Sequence, residues 1–148
     1  VMVETTTQLN RVGPALAQIA GVHAMTDVTG FALLGHGLEI ARGSRLTVEI
    51  DFARVPVIEE ALHLAQTGVA TGAAERNWAS YGDEVGRGTG VADWQRKFLC
   101  DPQTSGGLLV ACAPEAAEAV LAAFRAQGFA QATVVGGLRA GEPRLRVV

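Results

Sequence analysis

Two hydrophobic periods alternate along this chain, and that alternation limits the fold more than any other feature. Residues 22–27 (VHAMTD) place Val22, Ala24 and Thr26 on one face and His23, Met25 and Asp27 on the other, the pattern of a strand. The next segment changes to the helical period: Phe31, Leu34, Leu38 and Ala41 form one stripe, with Thr29 as the expected N-cap and Gly43 as the expected stop. RLTVEID (45–51) returns to the strand period with Leu46, Val48 and Ile50 inward, and LLVAC (108–112) reads as a buried strand. Residues 132–138 and 144–148 read as two strands around a turn at Gly141–Glu142.

Helical segments fall between these strands. Leu9, Val12, Leu16 and Ile19 share one face near the start, where Pro14 predicts a kink or a second helix start near Gly13. Pro56 fits the first turn of another helix, Glu59 and Glu60 suit its positive end, and Gly68 ends it. Val91, Trp94 and Phe98 suggest a short helix, and 114–127 a longer one with Val120, Leu121 and Phe124 inward. Residues 69–90, rich in Gly, Ala and polar types, read as a long loop. This irregular order predicts an α+β domain with helices packed on a mixed β-sheet. At 148 residues, 49% of them hydrophobic, the chain suits a single domain over 1–148.

The net charge of −3 gives no electrostatic reason to bind nucleic acid or an anionic membrane. No apolar run reaches the roughly 18 residues of a membrane span, and no leader pattern is visible. Cys100 and Cys112 lack metal-site spacing and read as buried thiols of a reducing, cytoplasmic compartment. No Ser/His/Asp or Cys/His set can be assembled, so no catalytic residue is assigned.

Two segments can carry chemistry. In HAMTDVTGFALLGH (23–36), Asp27 ends a strand beside a helix start. There a carboxylate either assists the cap, worth roughly 0.3–1 kcal/mol against the helix dipole, or helps to hold Mg²⁺ on nucleotide phosphates. Thr29 offers its own oxygen for the cap, leaving Asp27 free. Gly30, Gly35 and Gly37 each cost a helix roughly 0.5–1 kcal/mol, which implies close backbone approach. His36 has no second ligand at helical spacing and reads as a hydrogen-bonded structural residue. In DPQTSGG (101–107), Thr104, Ser105, Gly106 and Gly107 supply hydroxyls and unhindered N–H groups, suited either to an anion-binding nest or to a tight turn. It is not a P-loop, having no GxxxxGK[ST] pattern. In the 69–90 loop Arg76 can meet phosphate, although a solvated arginine is the commoner case.

Taken together, TDVTGFALLGHGLEIARGS and LCDPQTSGGLL resemble the C-terminal domain of selenophosphate synthetase (selenide, water dikinase). The resemblance runs in order along essentially the whole chain and includes His63–Gly68 and the Arg76–Asn77 pair. It implies the C-terminal α+β fold of the aminoimidazole ribonucleotide synthetase superfamily. It also implies a reaction that converts ATP, selenide and water into selenophosphate, AMP and phosphate. On this resemblance Asp27 is a Mg²⁺ ligand and Thr104, Ser105, Gly106 and Gly107 line the cofactor cleft. The other Mg²⁺ aspartates, the nucleotide segment and the catalytic Cys (or Sec) and Lys belong to an N-terminal ATP-binding domain that nothing here matches. That domain is the expected partner, with ATP and selenide, and the full-length protein is expected to be a homodimer. Ala32 stands where the family carries glycine, a change expected to favour the helix; Ala74 and Glu75 weaken a phosphate role for the 69–90 loop. The alternatives are a non-catalytic stand-alone module, or another ATP-dependent enzyme of the superfamily such as a thiamine monophosphate kinase or a hydrogenase-maturation protein.

Overall fold

The computed structural model describes residues 2–148. Its helices are α1 (Met2–Thr7), α2 (Gly13–Leu16), α3 (Ala32–Ser44), α4 (Glu59–Gln66), α5 (Gly72–Tyr81), α6 (Asp93–Leu99) and α7 (Ala117–Ala126). Its strands are β1 (Val22–Asp27), β2 (Thr47–Ile50), β3 (Val85–Arg87), β4 (Leu108–Cys112), β5 (Gly136–Arg139) and β6 (Leu145–Val147). The α+β architecture expected from the alternating periods is present.

The strands form two sheets. One is an antiparallel ribbon of β1 and β4; the other has the order β3-β6-β2-β5, with β2 antiparallel to β5 but parallel to β6, and β3 parallel to β6. The expected pair of strands around Gly141–Glu142 exists, but β5 and β6 do not pair with each other. They take opposite edges of β2, because the short β2 is buried on both faces at Val48 and Ile50 and at Thr47, and needs a partner on each side.

The ribbon lies between two apolar clusters. Leu34, Leu38 and Ala41 of α3 pack with Ile50, Leu145 and Val147 of the larger sheet, while Ala24, Leu109 and Ala111 cover this cluster from the ribbon side. Val12, Leu16, Val120 and Phe124 form the second cluster beneath Val110 and Leu108. Each fully buried Leu is worth roughly 1.5–3 kcal/mol.

Several local expectations change. Pro14 does start a second helix, in the first turn of α2, so Val12 and Leu16 are buried, but Leu9 is exposed. Phe31, expected on the buried stripe of α3, is also exposed. Helix α3 passes through Gly43 and ends at Ser44, with Arg45 as its C-cap in a left-handed backbone of φ 57°. Pro56 lies before α4 rather than in it, and Gly68 follows the helix with φ +93°. The 69–90 stretch is not a loop: α5, a short 3₁₀ turn and β3 occupy most of it. The Thr71 side chain caps α5 by accepting from the Ala74 N–H at 3.2 Å, and α5 buries only Ala74 and Tyr81. So sparse an apolar stripe gives little periodic signal.

Candidate functional site: the end of the ribbon

Asp27 is the last residue of β1 and stands opposite Leu108, the first of β4, so the two motifs meet at one end of the ribbon. Main-chain bonds extend the pairing beyond the strands. The Val28 N–H donates to Gly107 O at 2.9 Å and the Gln103 N–H to Thr29 O at 3.0 Å. Gly106 is pressed so closely on this crossing that a Cβ there would lie 1.6 Å from Val28 O; only glycine fits. The Asn10 amide donates to Gly106 O at 2.9 Å from the segment between α1 and α2.

The groups at this end are open. Asp27, Thr104, Ser105 and Gly107 are exposed. Among the described residues, the Asp27 carboxylate has no hydrogen-bond or ion-pair partner, and the backbone N–H groups of Thr104, Ser105, Gly106 and Gly107 donate to no protein group. Ser105 has φ 57°, the kind of left-handed position that turns successive N–H groups into an anion-binding concavity. The donor set fits Mg²⁺ with phosphate only as a partial site. Among the described residues no group of three His, Cys, Asp or Glu side chains could hold a metal, so this end of the ribbon offers one carboxylate, that of Asp27, and no cluster. Mg²⁺ needs only one or two carboxylates, with water and phosphate oxygens completing its shell.

The start of α3 differs from the expected cap. Its N-cap is Phe31, without a side-chain cap, and Thr29 instead shares a 3.2 Å hydrogen bond between Oγ1 and His36 Nε2. The other His36 nitrogen meets Glu39 Oε2 at 2.8 Å, and the ring is buried. His36 is thus the hydrogen-bonded structural residue expected, and Asp27 caps nothing. Of the three glycines, Gly35 and Gly37 serve packing, whereas Gly30 lies before the helix and a Cβ there would meet nothing within 4 Å. A Cβ at Gly35 would meet Phe31 Cβ at 2.5 Å and the Tyr81 ring at 3.0 Å, and one at Gly37 would meet Leu145 at 2.6 Å. Ala32 does not favour the helix as expected: its φ is 61°, a left-handed position costing a Cβ-bearing residue roughly 1–2 kcal/mol.

Helix α5 braces the site and is the part that reading by period missed. Asn77 Nδ2 donates to Gly30 O at 2.9 Å and to Cys100 O at 3.0 Å. The Tyr81 hydroxyl donates to Phe31 O at 2.8 Å, and the Thr71 hydroxyl to Asp101 Oδ1 at 2.6 Å. Burial pushes the Tyr81 phenol and the Cys100 thiol up. Both cysteines are free thiols, and Cys100, fully buried, is no candidate for the missing nucleophile. A charge cluster fixes α5 to α6. Arg96, buried, meets Glu75 at 3.2 Å and Asp93 at 2.8 Å and lies 4.9 Å over the Trp78 ring. Burial opposes the Arg96 charge, but hydrogen bonds to Asp93 and Glu75 outweigh it and hold the guanidinium above its ordinary range. The Arg96 bonds in turn draw both carboxyls below theirs. Arg76, the weaker phosphate candidate, lies exposed on α5.

The chain belongs to the family of AIR synthase related proteins, C-terminal domain, whose model matches residues 1–148. Within that class its relatives include the selenide, water dikinases of Pseudomonas straminea (52% identical over 146 residues) and Paraburkholderia xenovorans (51% over 147). Each alignment takes in 99% of this chain but only 41% and 42%, respectively, of the relative; the chain therefore spans about two-fifths of their length. Among solved structures, hydrogenase maturation protein HypE in complex with ATP superposes with a TM-score of 0.59 at 19% identity, over 94% of this chain and 36% of that one. A second HypE structure gives 0.58 at 20% identity, over 93% and 37%. These confirm the α+β fold expected. No helix among the described residues is long and apolar enough to cross a membrane.

Proposed function

We propose that this chain is the C-terminal part of a selenide, water dikinase, which makes selenophosphate, AMP and phosphate from ATP, selenide and water. The carrying observation is the meeting of Asp27 with the Thr104–Gly107 loop at one ribbon end, both with polar groups unpartnered among the described residues. The identity shared with the dikinases over nearly the whole chain supports this reading.

In this reading Asp27 gives one carboxylate to Mg²⁺, and the loop N–H groups and hydroxyls receive phosphate oxygens, the chemistry for which each is suited. Mg²⁺ when bound neutralises phosphate charge during phosphoryl transfer. The remaining Mg²⁺ ligands and the catalytic groups come from the N-terminal ATP-binding domain, which also carries the homodimer contact; the setting is cytoplasmic. In the full-length enzyme, Asp27→Asn lowers selenide-dependent ATP turnover by about 100-fold, close to 2.7 kcal/mol of transition-state stabilisation. Turnover near the wild-type level refutes the metal role. The isolated chain hydrolyses no ATP; robust turnover by it alone refutes the division between domains. Nucleotide turnover indifferent to selenide sends the protein to another branch of the family.

A further inference from the structure

We propose that Asn77 is a positioning residue that sets the distance between Asp27 and the Thr104–Gly107 loop. The inference rests on the ribbon-end site described above. One amide nitrogen spends both its protons on two chain segments: Gly30, three residues beyond Asp27, and Cys100, the residue before DPQTSGG. On one side the two segments are joined by main-chain bonds, Val28 to Gly107 and Gln103 to Thr29. Asn77 closes the other side of the crossing.

The helix that carries it is well fixed. Besides Asn77, α5 reaches the first motif through Tyr81 on Phe31 O and the second through Thr71 on Asp101. Arg96 and Lys97 of α6 both hold Glu75 of α5. Asn77 is therefore a short arm on a braced element, and its two acceptors belong to the segments that bear the site. Mg²⁺ demands near-ideal octahedral geometry at about 2.0–2.1 Å, and a site is productive only when held within roughly 0.5 Å. Loss of the arm lets Asp27 drift relative to the loop, so it weakens Mg²⁺ affinity before it removes chemistry.

The test uses the full-length enzyme and titrates Mg²⁺ for Asn77→Ala and Asn77→Asp in two ways, by ATP turnover and by calorimetric binding in the presence of a non-hydrolysable ATP analogue, and the two midpoints move together. Aspartate keeps the shape but presents an acceptor to both carbonyls. Each variant raises the Mg²⁺ concentration for half-maximal turnover about tenfold, while turnover at saturating Mg²⁺ stays within about threefold of wild type. Asp101→Ala, which cuts the tether from Thr71 and leaves the Thr71 cap of α5 in place, shifts the Mg²⁺ midpoint about threefold in the same direction and keeps the test open if the Asn77 variants do not fold. An unchanged midpoint, with turnover falling only in step with the melting temperature, overturns the proposal and makes Asn77 merely structural. An unchanged Asn77 midpoint beside a severe Asp27→Asn defect overturns the positioning role and leaves the site standing. An Asp27→Asn enzyme with wild-type Mg²⁺ dependence overturns the site, and this inference with it.

Discussion

The ribbon end and the α5–α6 face use similar residues to opposite ends. On the α5–α6 face Glu75, Asp93, Arg96 and Lys97 answer one another in one network over Trp78. At the ribbon end Asp27 and the N–H groups of Thr104–Gly107 meet no partner among the described residues, although their backbone is fixed on both sides. A paired cluster spends its polar groups on stability. A rigid backbone with unspent polar groups is what a ligand needs, since little ordering then remains to be done on binding. Variants of the first region are therefore expected to change melting and variants of the second to change activity, with the close crossing at Gly106 joining the two.

Gly106→Ala has the largest expected effect on stability. Its Cβ would fall 1.6 Å from Val28 O, so the loop must leave the ribbon, at a cost of about 3 kcal/mol. Denaturant titration measures it, and a loss below about 0.5 kcal/mol means the crossing is not tight. Arg96→Ala follows, at about 2 kcal/mol from a buried cation shared by two carboxylates and an aromatic face. Ala32→Gly works in the other direction, raising stability by about 1 kcal/mol through relief of the φ 61° backbone. The smallest effect is one of pH. Hydrogen bonds from Arg96 hold the Glu75 and Asp93 carboxyls below their ordinary range. Their contribution is present above the unfolded value, near 4, and is lost as pH falls through the lower folded values. Melting temperature therefore declines below about pH 4, slightly more in the wild type than in Glu75→Gln, and the difference shrinks in high salt because Glu75 is half exposed.

Local pattern carried much of this fold. β1, β4 and α7 follow from period and turn chemistry, and the resemblance of two motifs pointed to Asp27 and to Thr104–Gly107. What stayed hidden depends on contacts distant in sequence. The placement of β5 and β6 on opposite edges of β2 cannot be read from either segment. Helix α5 was missed because GAAERNWASY buries only Ala74 and Tyr81, its stability coming from α6 and from its tethers to the motifs. Its sequence signal was slight: Thr71 is a good N-cap residue and Glu75 suits the first turn, inside an alanine-rich stretch. Thr29 was misassigned because a cap oxygen and a partner for His36 look alike in sequence; the buried imidazole won the hydroxyl.

The most direct measurement is a structure of the full-length protein with Mg²⁺ and a non-hydrolysable ATP analogue. The account predicts a Mg²⁺ ion about 2.1 Å from an Asp27 oxygen, with phosphate oxygens accepting from N–H groups of Thr104–Gly107. Nucleotide and Mg²⁺ bound elsewhere, with Asp27 left facing water, would contradict it.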